Sequence, residues 1–450
     1  MIGLNKIGLN QVLLNRLRLN APFPAYGKMA GGGGSGDGFP QLPGDVTRWH
    51  FGGLTNEMMA AMDDPRIEDA DHKGRFLSFK NFAWKEGSGI SDIYPGALVF
   101  DGVDDRGVCE NFPILTKEKG YTVVVLRQWD QDFLNTTLTG GLLSTRNYST
   151  GEGVAFEKIE SSNKGYWNLG AGGFIDFAKS PFTWQTSKQY NNVGILKGDK
   201  NHGKPLCVGC GLSRGQQCGR FAIWELVFLD HDATEEELTK IKDYFVKTYP
   251  WLFPDQAWTV VGKTNEDEDR ATIANITGNG NDLVCLNLGF IEGSGYNEEG
   301  EYAGYLVTDG VDDKITSSTF EMGNDWTVIG DWELINTGKN DNAGIVKFDS
   351  IVIYNYNPIL INIKNGRNNL IPDQNTVNAI CSDGRIYSKD WKESIYNEET
   401  ESTSKNLLTI GYSGNSYTKI AFKNLAIYPT VLSKEDCIKA YNYLQTLKAK

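Results

Sequence analysis

Histidine is scarce, with four in 450 residues, and this limits the catalysis the chain can carry. Serine–histidine and cysteine–histidine relays need a histidine beside a nucleophile, and none is legible. There is no apolar run of about 20 residues, so no membrane-spanning helix is expected. Asn and Lys interrupt the first residues every few positions, so they lack the continuous apolar stretch of a secretion signal. Lys and Arg number 44 against 57 Asp and Glu, a net charge of −13. Such a surface repels phosphate backbones, and nucleic acid is not an expected partner. Cysteine is sparse and odd in number, at seven. That implies no dense disulfide framework and suggests folding in a reducing compartment.

Glycine (51) and aromatic residues (21 Phe, 20 Tyr, 11 Trp) are plentiful. The mixture suits short strands joined by tight turns. At roughly 100–200 residues per domain, the length allows two to four domains.

A long internal repeat narrows that range. Trp49 with Thr55 and Asn56 matches Trp258 with Thr264 and Asn265. Residues 77–82 (LSFKNF) match 283–288 (LVCLNL), and EGSG at 86–89 matches EGSG at 292–295. DGVDD at 101–105 returns at 309–313, and YTVV at 121–124 matches WTVI at 326–329. LCVG at 206–209 matches LTIG at 408–411, and LVF at 226–228 matches LAI at 425–427. The order is kept and the period is about 200 residues, too long for a solenoid unit, so each copy is a whole domain. The expected domains are 45–253 and 254–450.

Strand-like runs dominate each copy, as at 97–100, 121–126 and 221–228. One helix closes each. Thr234 with Glu237 forms a capping box, and Ser433 with Asp436 a near-variant. Leu238, Ile241, Tyr244 and Phe245, then Ile438, Tyr441 and Leu444, follow at helical spacing as core-facing stripes.

The pattern LVxDGVDD in both copies, the late LxxG strand and the final strand running into a capped helix resemble the concanavalin A-like lectin/glucanase superfamily. The closer resemblance is to laminin-G-like domains of bacterial and phage proteins, and it covers both copies. It implies an all-β fold of two tandem jelly-roll sandwiches, each ending in a short helix. It also implies a role in binding glycans or proteins, with hydrolysis confined to a minority of the superfamily. An Asn-Leu-rich arm and glycine linker ahead of such domains look like virion proteins of phages infecting gut Bacteroidales.

That arm, residues 1–30, repeats every five residues. Ile2, Ile7, Val12 and Leu17 form one register, Leu4, Leu9, Leu14 and Leu19 another, and Asn5, Asn10, Asn15 and Asn20 a third. Five matches neither helix nor flat strand. A β-solenoid uses five residues per side, but one coil cannot bury itself. The expectation is a docking arm that stacks on identical arms or another virion protein; a leader with accidental bias is the alternative. Residues 31–44, with GGGGSGDG at 31–38, form a flexible tether.

Sites for chemistry are few. The Glu-x-Asp-x-x-Glu strand of the superfamily's retaining glucanases has no counterpart, and 266–269 (EDED) is expected to be a solvated turn. No catalytic residue, cofactor or metal site is therefore expected. Calcium at the DGVDD turns, through clustered oxygens, is set against the simpler view that Gly and Asp supply turn geometry. His202, Cys207, Cys210 and Cys218 have a zinc-like composition, but a separation of three on one strand is expected to point Cys207 and Cys210 to opposite faces. Trp129, Trp167, Trp184 and Tyr190 are the candidate glycan-stacking residues, each weighed against a place in the core.

These features lead to an expected non-enzymatic phage structural or adhesion protein: a head or tail fibre, or a decoration. It would assemble in the host cytoplasm, reside in the virion and bind host or mucosal glycans. A bacterial cell-surface adhesin is the alternative, and a glycan-active enzyme a more distant one.

Overall fold

The computed structural model describes residues 38–113, 121–134, 136–145, 205–212, 216–335, 377–395, 406–413 and 416–449. It also describes the strand backbones Ala155–Lys158, Lys164–Trp167, Gly173–Asp176, Val193–Lys197, Gly344–Phe348, Ile351–Tyr354, Leu360–Ile363 and Arg367–Leu370. The arm at 1–30, Trp184, Tyr190 and His202 lie outside the described residues.

The chain is all-β, with two sandwiches in tandem. In the first, one sheet runs Val193–Lys197, Thr122–Trp129, Arg220–Leu229, Leu98–Asp101, Gly89–Ile90, with Val46–His50 also paired to Arg220–Leu229. The facing sheet runs Gly173–Asp176, Lys164–Trp167, Ala155–Lys158, Gly140–Ser144, Leu206–Val208, Arg106–Cys109, Phe76–Lys80, Arg66–Glu68.

The second half repeats this order. Its first sheet runs Val377–Cys381, Thr327–Leu334, Ile420–Tyr428, Tyr305–Val307, Gly295–Asn297, with Gln256–Thr259 paired to Ile420–Tyr428. Arg385–Ser388 and Glu393–Ile395 extend one edge. The facing sheet runs Arg367–Leu370, Leu360–Ile363, Ile351–Tyr354, Gly344–Phe348, Asn406–Ile410, Lys314–Phe320, Leu283–Leu286, Thr272–Ile273. Trp49 opposes Leu226 and Trp258 opposes Leu425, so the two tryptophans occupy equivalent strands.

A β-bulge sits at the same place in each closing strand. Register slips between Ile223 and Glu225 in the first half and opposite Asp331/Trp332 in the second, leaving Trp224 and Lys423 as the extra residues. The slip flips the alternation of faces. Phe221 and Ile223 point into the first core, and beyond the bulge Leu226 and Phe228 resume it. Ile420, Phe422, Leu425 and Ile427 do the same in the second.

A third apolar cluster fuses the halves. Val124, Leu126, Ala222 and Val227 from the outer face of one sheet join Ile329, Ala379, Ala426 and Tyr428 from the outer face of the other. Between them lie the helices Glu235–Thr248 and Lys434–Leu444 and the buried segment Trp251, Leu252 and Phe253. The expected boundary at 253/254 therefore falls inside a core.

The first helix has the expected capping box between Thr234 and Glu237, and Ser433 caps the second by accepting from Asp436 N. Ile241, Tyr244 and Phe245 are buried as expected. The second stripe is displaced: Cys437, Ala440, Tyr443 and Leu444 are buried, while Ile438 and Tyr441 are only partly covered. Apolar spacing alone did not reveal that this helix also packs on the first sandwich.

Candidate functional site

The repeated motifs converge on one construction, present twice. Asp101 Oδ1 accepts from the backbone N–H groups of Val103 at 2.8 Å and Asp104 at 3.4 Å. Asp309 Oδ1 does so from Val311 at 2.7 Å and Asp312 at 3.3 Å. Gly102 and Gly310 take φ of 78° and 76°, where a side chain is strained. Asp105 Oδ2 accepts from Asp101 N at 3.0 Å, and Asp313 Oδ2 from Asp309 N at 2.8 Å.

The EGSG loop docks on this turn. Ser294 donates its hydroxyl to Asp313 Oδ2 at 2.8 Å and accepts from Gly289 N at 2.8 Å. Ser88 accepts from Ala83 N at 2.9 Å and is hydrogen-bonded to Asp105. Asn81 and Asn287 donate to the backbone oxygens of Asp104 and Asp312, at 3.2 and 3.0 Å. Asn56 clasps both backbone groups of Ile90 at 2.8 Å, and Asn265 those of Tyr296 at 2.8 Å. A Cβ on Gly89 would stand 2.3 Å from Asn56 Oδ1, so that glycine is required by the clasp. EDED at 266–269 is a turn, as expected, with Asp267 capping Thr264 N at 2.8 Å.

Three carboxylates meet in each turn: Asp101, Asp104 and Asp105, then Asp309, Asp312 and Asp313, each offering an oxygen within 4.8 Å of the others. Asp105 and Asp313 are fully buried. Burial pushes the Asp105 carboxyl up to about 7, against the Ser88 hydrogen bond, and Asp101 and Asp104 add to the rise. Asp313 is raised for the same reasons. Oδ1 of each is buried without a hydrogen-bond partner.

A second polar group lies on the outer face of the first sandwich. Glu225 Oε1 contacts His50 Nδ1 at 2.8 Å and accepts from the hydroxyls of Tyr244 and Tyr249 at 2.8 and 2.9 Å. Arg48 Nη1 lies 3.3 Å from Glu225 Oε2 and is stacked 4.3 Å over Phe39. Burial alone would raise Glu225, but the His50 hydrogen bond and the Arg48 charge outweigh it and hold the carboxyl below its usual range. A carboxylate so well supplied with donors is a weak base. The equivalent residues of the second half, Ala257, Thr259 and Asn424, carry no charge. Sequence reasoning missed this cluster; the signal was a lone Glu inside the apolar run 221–228.

Of the candidate stacking residues, the structure describes Trp129 and the strand backbone that carries Trp167. Trp129 is a core ring, 3% exposed, stacked on Phe133 at 6.0 Å and tilted against Phe221 at 5.3 Å. Its strand is buried on both faces, which corrects its assignment as a platform. Trp167 lies on the strand Lys164–Trp167, in the three-strand extension of the first sandwich.

Cys207 and Cys210 do not diverge. Gly209, at φ 97°, breaks the strand between them, and Cys207, Cys210 and Cys218 form one buried cluster. Cys210 and Cys218 are joined as a disulfide, which the cysteine count had not suggested.

No protein-family model matches the chain, nor does any curated protein. Solved structures similar to it include a Trypanosoma rangeli sialidase in complex with the inhibitor DANA, at 9% identity and TM-score 0.32, covering 84% of this chain and 68% of that one. Another is the botulinum neurotoxin serotype D binding domain, at 10% identity and TM-score 0.30, covering 80% and 94%. The ligand binding domain of that serotype in complex with N-acetylneuraminic acid matches at 10% identity and TM-score 0.31, covering 80% and 94%.

Proposed function

We propose that the protein is a non-enzymatic structural or adhesion component of a phage virion, a head or tail fibre or a decoration, whose sandwiches present a glycan-binding surface. One observation carries this reading: the polar side chains repeated in both halves are spent on holding turns. Asn56, Ser88, Asp101 and Asp105, with their counterparts, tie backbone to backbone. Glycosidases of two-carboxylate type need an acid and a nucleophile or base flanking an open cleft. Glu225 instead is fully buried beneath the helix Glu235–Thr248 and neutralised by Arg48. A duplicated, turn-stabilised scaffold fits presentation of a surface better than turnover.

We assign the ligand surface to the part of the first sandwich that includes the strand Lys164–Trp167, because tryptophan is a residue type suited to stacking on a sugar. The arm at 1–30 would dock the protein on identical arms or another virion protein, and 31–44 would tether it. A bacterial surface adhesin is the second reading. The Cys210–Cys218 disulfide favours a protein that ends outside a reducing cytosol, in either setting.

The test is a glycan array probed with the full chain, repeated with Trp167→Ala. Binding to a subset of glycans that falls at least tenfold in the variant is expected (~1.4 kcal/mol). Release of reducing ends from an array glycan, lost on substituting a carboxylate, would replace the reading with an enzyme.

A further inference from the structure

We propose that Cys381 and Cys437 are a disulfide-forming site, closed by exchange with a small-molecule disulfide, which staples the closing helix of the second half to its sheet. Cys381 ends the strand Val377–Cys381, and Cys437 lies near the start of the helix Lys434–Leu444. Both are fully buried in the cluster that fuses the halves. The Cys437 thiol donates to Cys381 Sγ, so the two sulfurs are in hydrogen-bonding contact across the helix–sheet seam. A threonine fixes this meeting. Thr327 stands opposite Cys381 in the neighbouring strand, with its hydroxyl 3.7 Å from Cys381 Sγ. The same hydroxyl donates to Thr430 O at 2.8 Å and accepts from Leu432 N at 2.9 Å, just ahead of the helix cap Ser433. The helix start is thereby pinned over the strand end. The first half builds the same pin with Thr122, His231 and Ala233. There Lys197 stands opposite Thr122 and Leu238 matches Cys437, so only the second half can form the bond.

The oxidant is a low-molecular-weight disulfide, with oxidised glutathione as the probe. One cysteine thiolate attacks a sulfur of that disulfide and expels one small thiolate. The other cysteine thiolate attacks the mixed disulfide at the protein sulfur and expels the second. One S–S bond breaks and one forms; the two cysteines give up two electrons and two protons, which leave in two molecules of small thiol. Because both cysteines are fully buried, the first attack takes place while the helix start is undocked. Docking then seats the second sulfur against the first, and a short further approach reaches the bond length of about 2 Å. The Cys210–Cys218 bond spans a separation of eight residues. A bond from Cys381 to Cys437 closes a far longer loop and restricts the unfolded chain more. It also holds in place the helix that carries Tyr443 into the shared core.

The experiment counts thiols. The full chain is held with oxidised glutathione, both in its native state and during refolding from denaturant, then denatured, alkylated and weighed. Cys210 and Cys218 are already joined, which leaves five free cysteines. Closure is expected to remove two alkyl groups, leaving Cys109, Cys207 and Cys285 modified, and to yield a cross-linked peptide pair containing Cys381 and Cys437. The melting temperature should rise with closure. Cys381→Ala should leave Cys437 alkylated and show no glutathione-dependent rise; Cys437→Ala, on the helix, gives the converse reading if the first variant folds poorly. Five alkylated cysteines in protein that melts as the untreated chain does after both treatments would overturn the proposal. So would a cross-link joining any other pair, or an equal melting rise in either folded variant.

Discussion

Tyr443, on the closing helix of the second half, donates its hydroxyl to Gln128 Oε1 at 3.0 Å, on a central strand of the first. The same ring meets Trp224, the bulged residue of the first closing strand, edge-on at 6.1 Å. Contacts of this depth bind the halves into one body, and the expected result is a single unfolding transition in calorimetry. Tyr443→Phe should cost about 1–3 kcal/mol, since it strands a buried amide oxygen. Tyr443→Ala should cost about 3–5 kcal/mol through the cavity it opens. Two separate transitions in the parent protein would contradict this.

The Ser294 hydroxyl joins the EGSG loop to the DGVDD turn through Gly289 N and Asp313. Ser294→Ala removes both bonds, the one given to the fully buried Asp313 carboxyl and the one accepted from Gly289 N, and a loss of about 1–3 kcal/mol in urea denaturation is expected. Ser88→Ala should behave alike, because the construction is duplicated. A neutral result at both positions would show the lock to be dispensable.

Asp105 makes stability depend on pH. The folded carboxyl titrates at about 7, and the unfolded one near its reference value of about 3.9. Between these values the folded chain holds a proton that the unfolded chain has released. Raising the pH through this window therefore favours unfolding. The charges facing the group are Asp101 and Asp104, both of which oppose its ionisation. Stability should fall from pH 4 towards 7 by this contribution, and Asp105→Asn should flatten that part of the profile. A denaturation series across the window, in parent and variant, measures it.

Glu225→Ala should destabilise by about 3–5 kcal/mol, because it leaves the Arg48 guanidinium buried without its carboxylate. Glu225→Gln should retain the tyrosine hydrogen bonds and cost less. Near-parental melting of Glu225→Ala would remove the cluster from the list of stabilising features.

The arm prediction rests on eight apolar side chains, Ile2, Leu4, Ile7, Leu9, Val12, Leu14, Leu17 and Leu19. Burying each is worth roughly 1.5–3 kcal/mol, against about 1–2 kcal/mol per residue for ordering the segment. The balance becomes favourable only when a partner supplies the other side of the core. Light scattering should show self-association of the full chain and a monomer for a chain starting at Gly38. Equal monomeric masses, without binding of the arm to a co-purifying virion protein, would return it to the status of a leader.

Much of the fold was legible because duplication marks equivalent places. Trp49 and Trp258, the two DGVDD turns and the two capped helices land on matching elements. The failures share a cause. Trp129 stayed open between core and stacking surface because an aromatic between polar neighbours looks the same in both, and only its packing on Phe133 and Phe221 decides for the core. Cys207 and Cys210 were assigned opposite faces because strand parity was counted through Gly209, whose φ of 97° interrupts it.

The sequence by itself determined the duplication, the place of the turns and the residues that cap the helices, because these depend on local patterns that recur, on backbone angles only glycine takes easily, and on side chains reaching their own neighbourhood. Tertiary structure alone decided that the halves share a core, that Tyr443 rather than Tyr441 faces it, and that Glu225 is neutralised by a residue far from it in the chain. Those outcomes depend on which surfaces meet after the strands have paired. Burial and charge compensation at such places come from residues brought together only by folding.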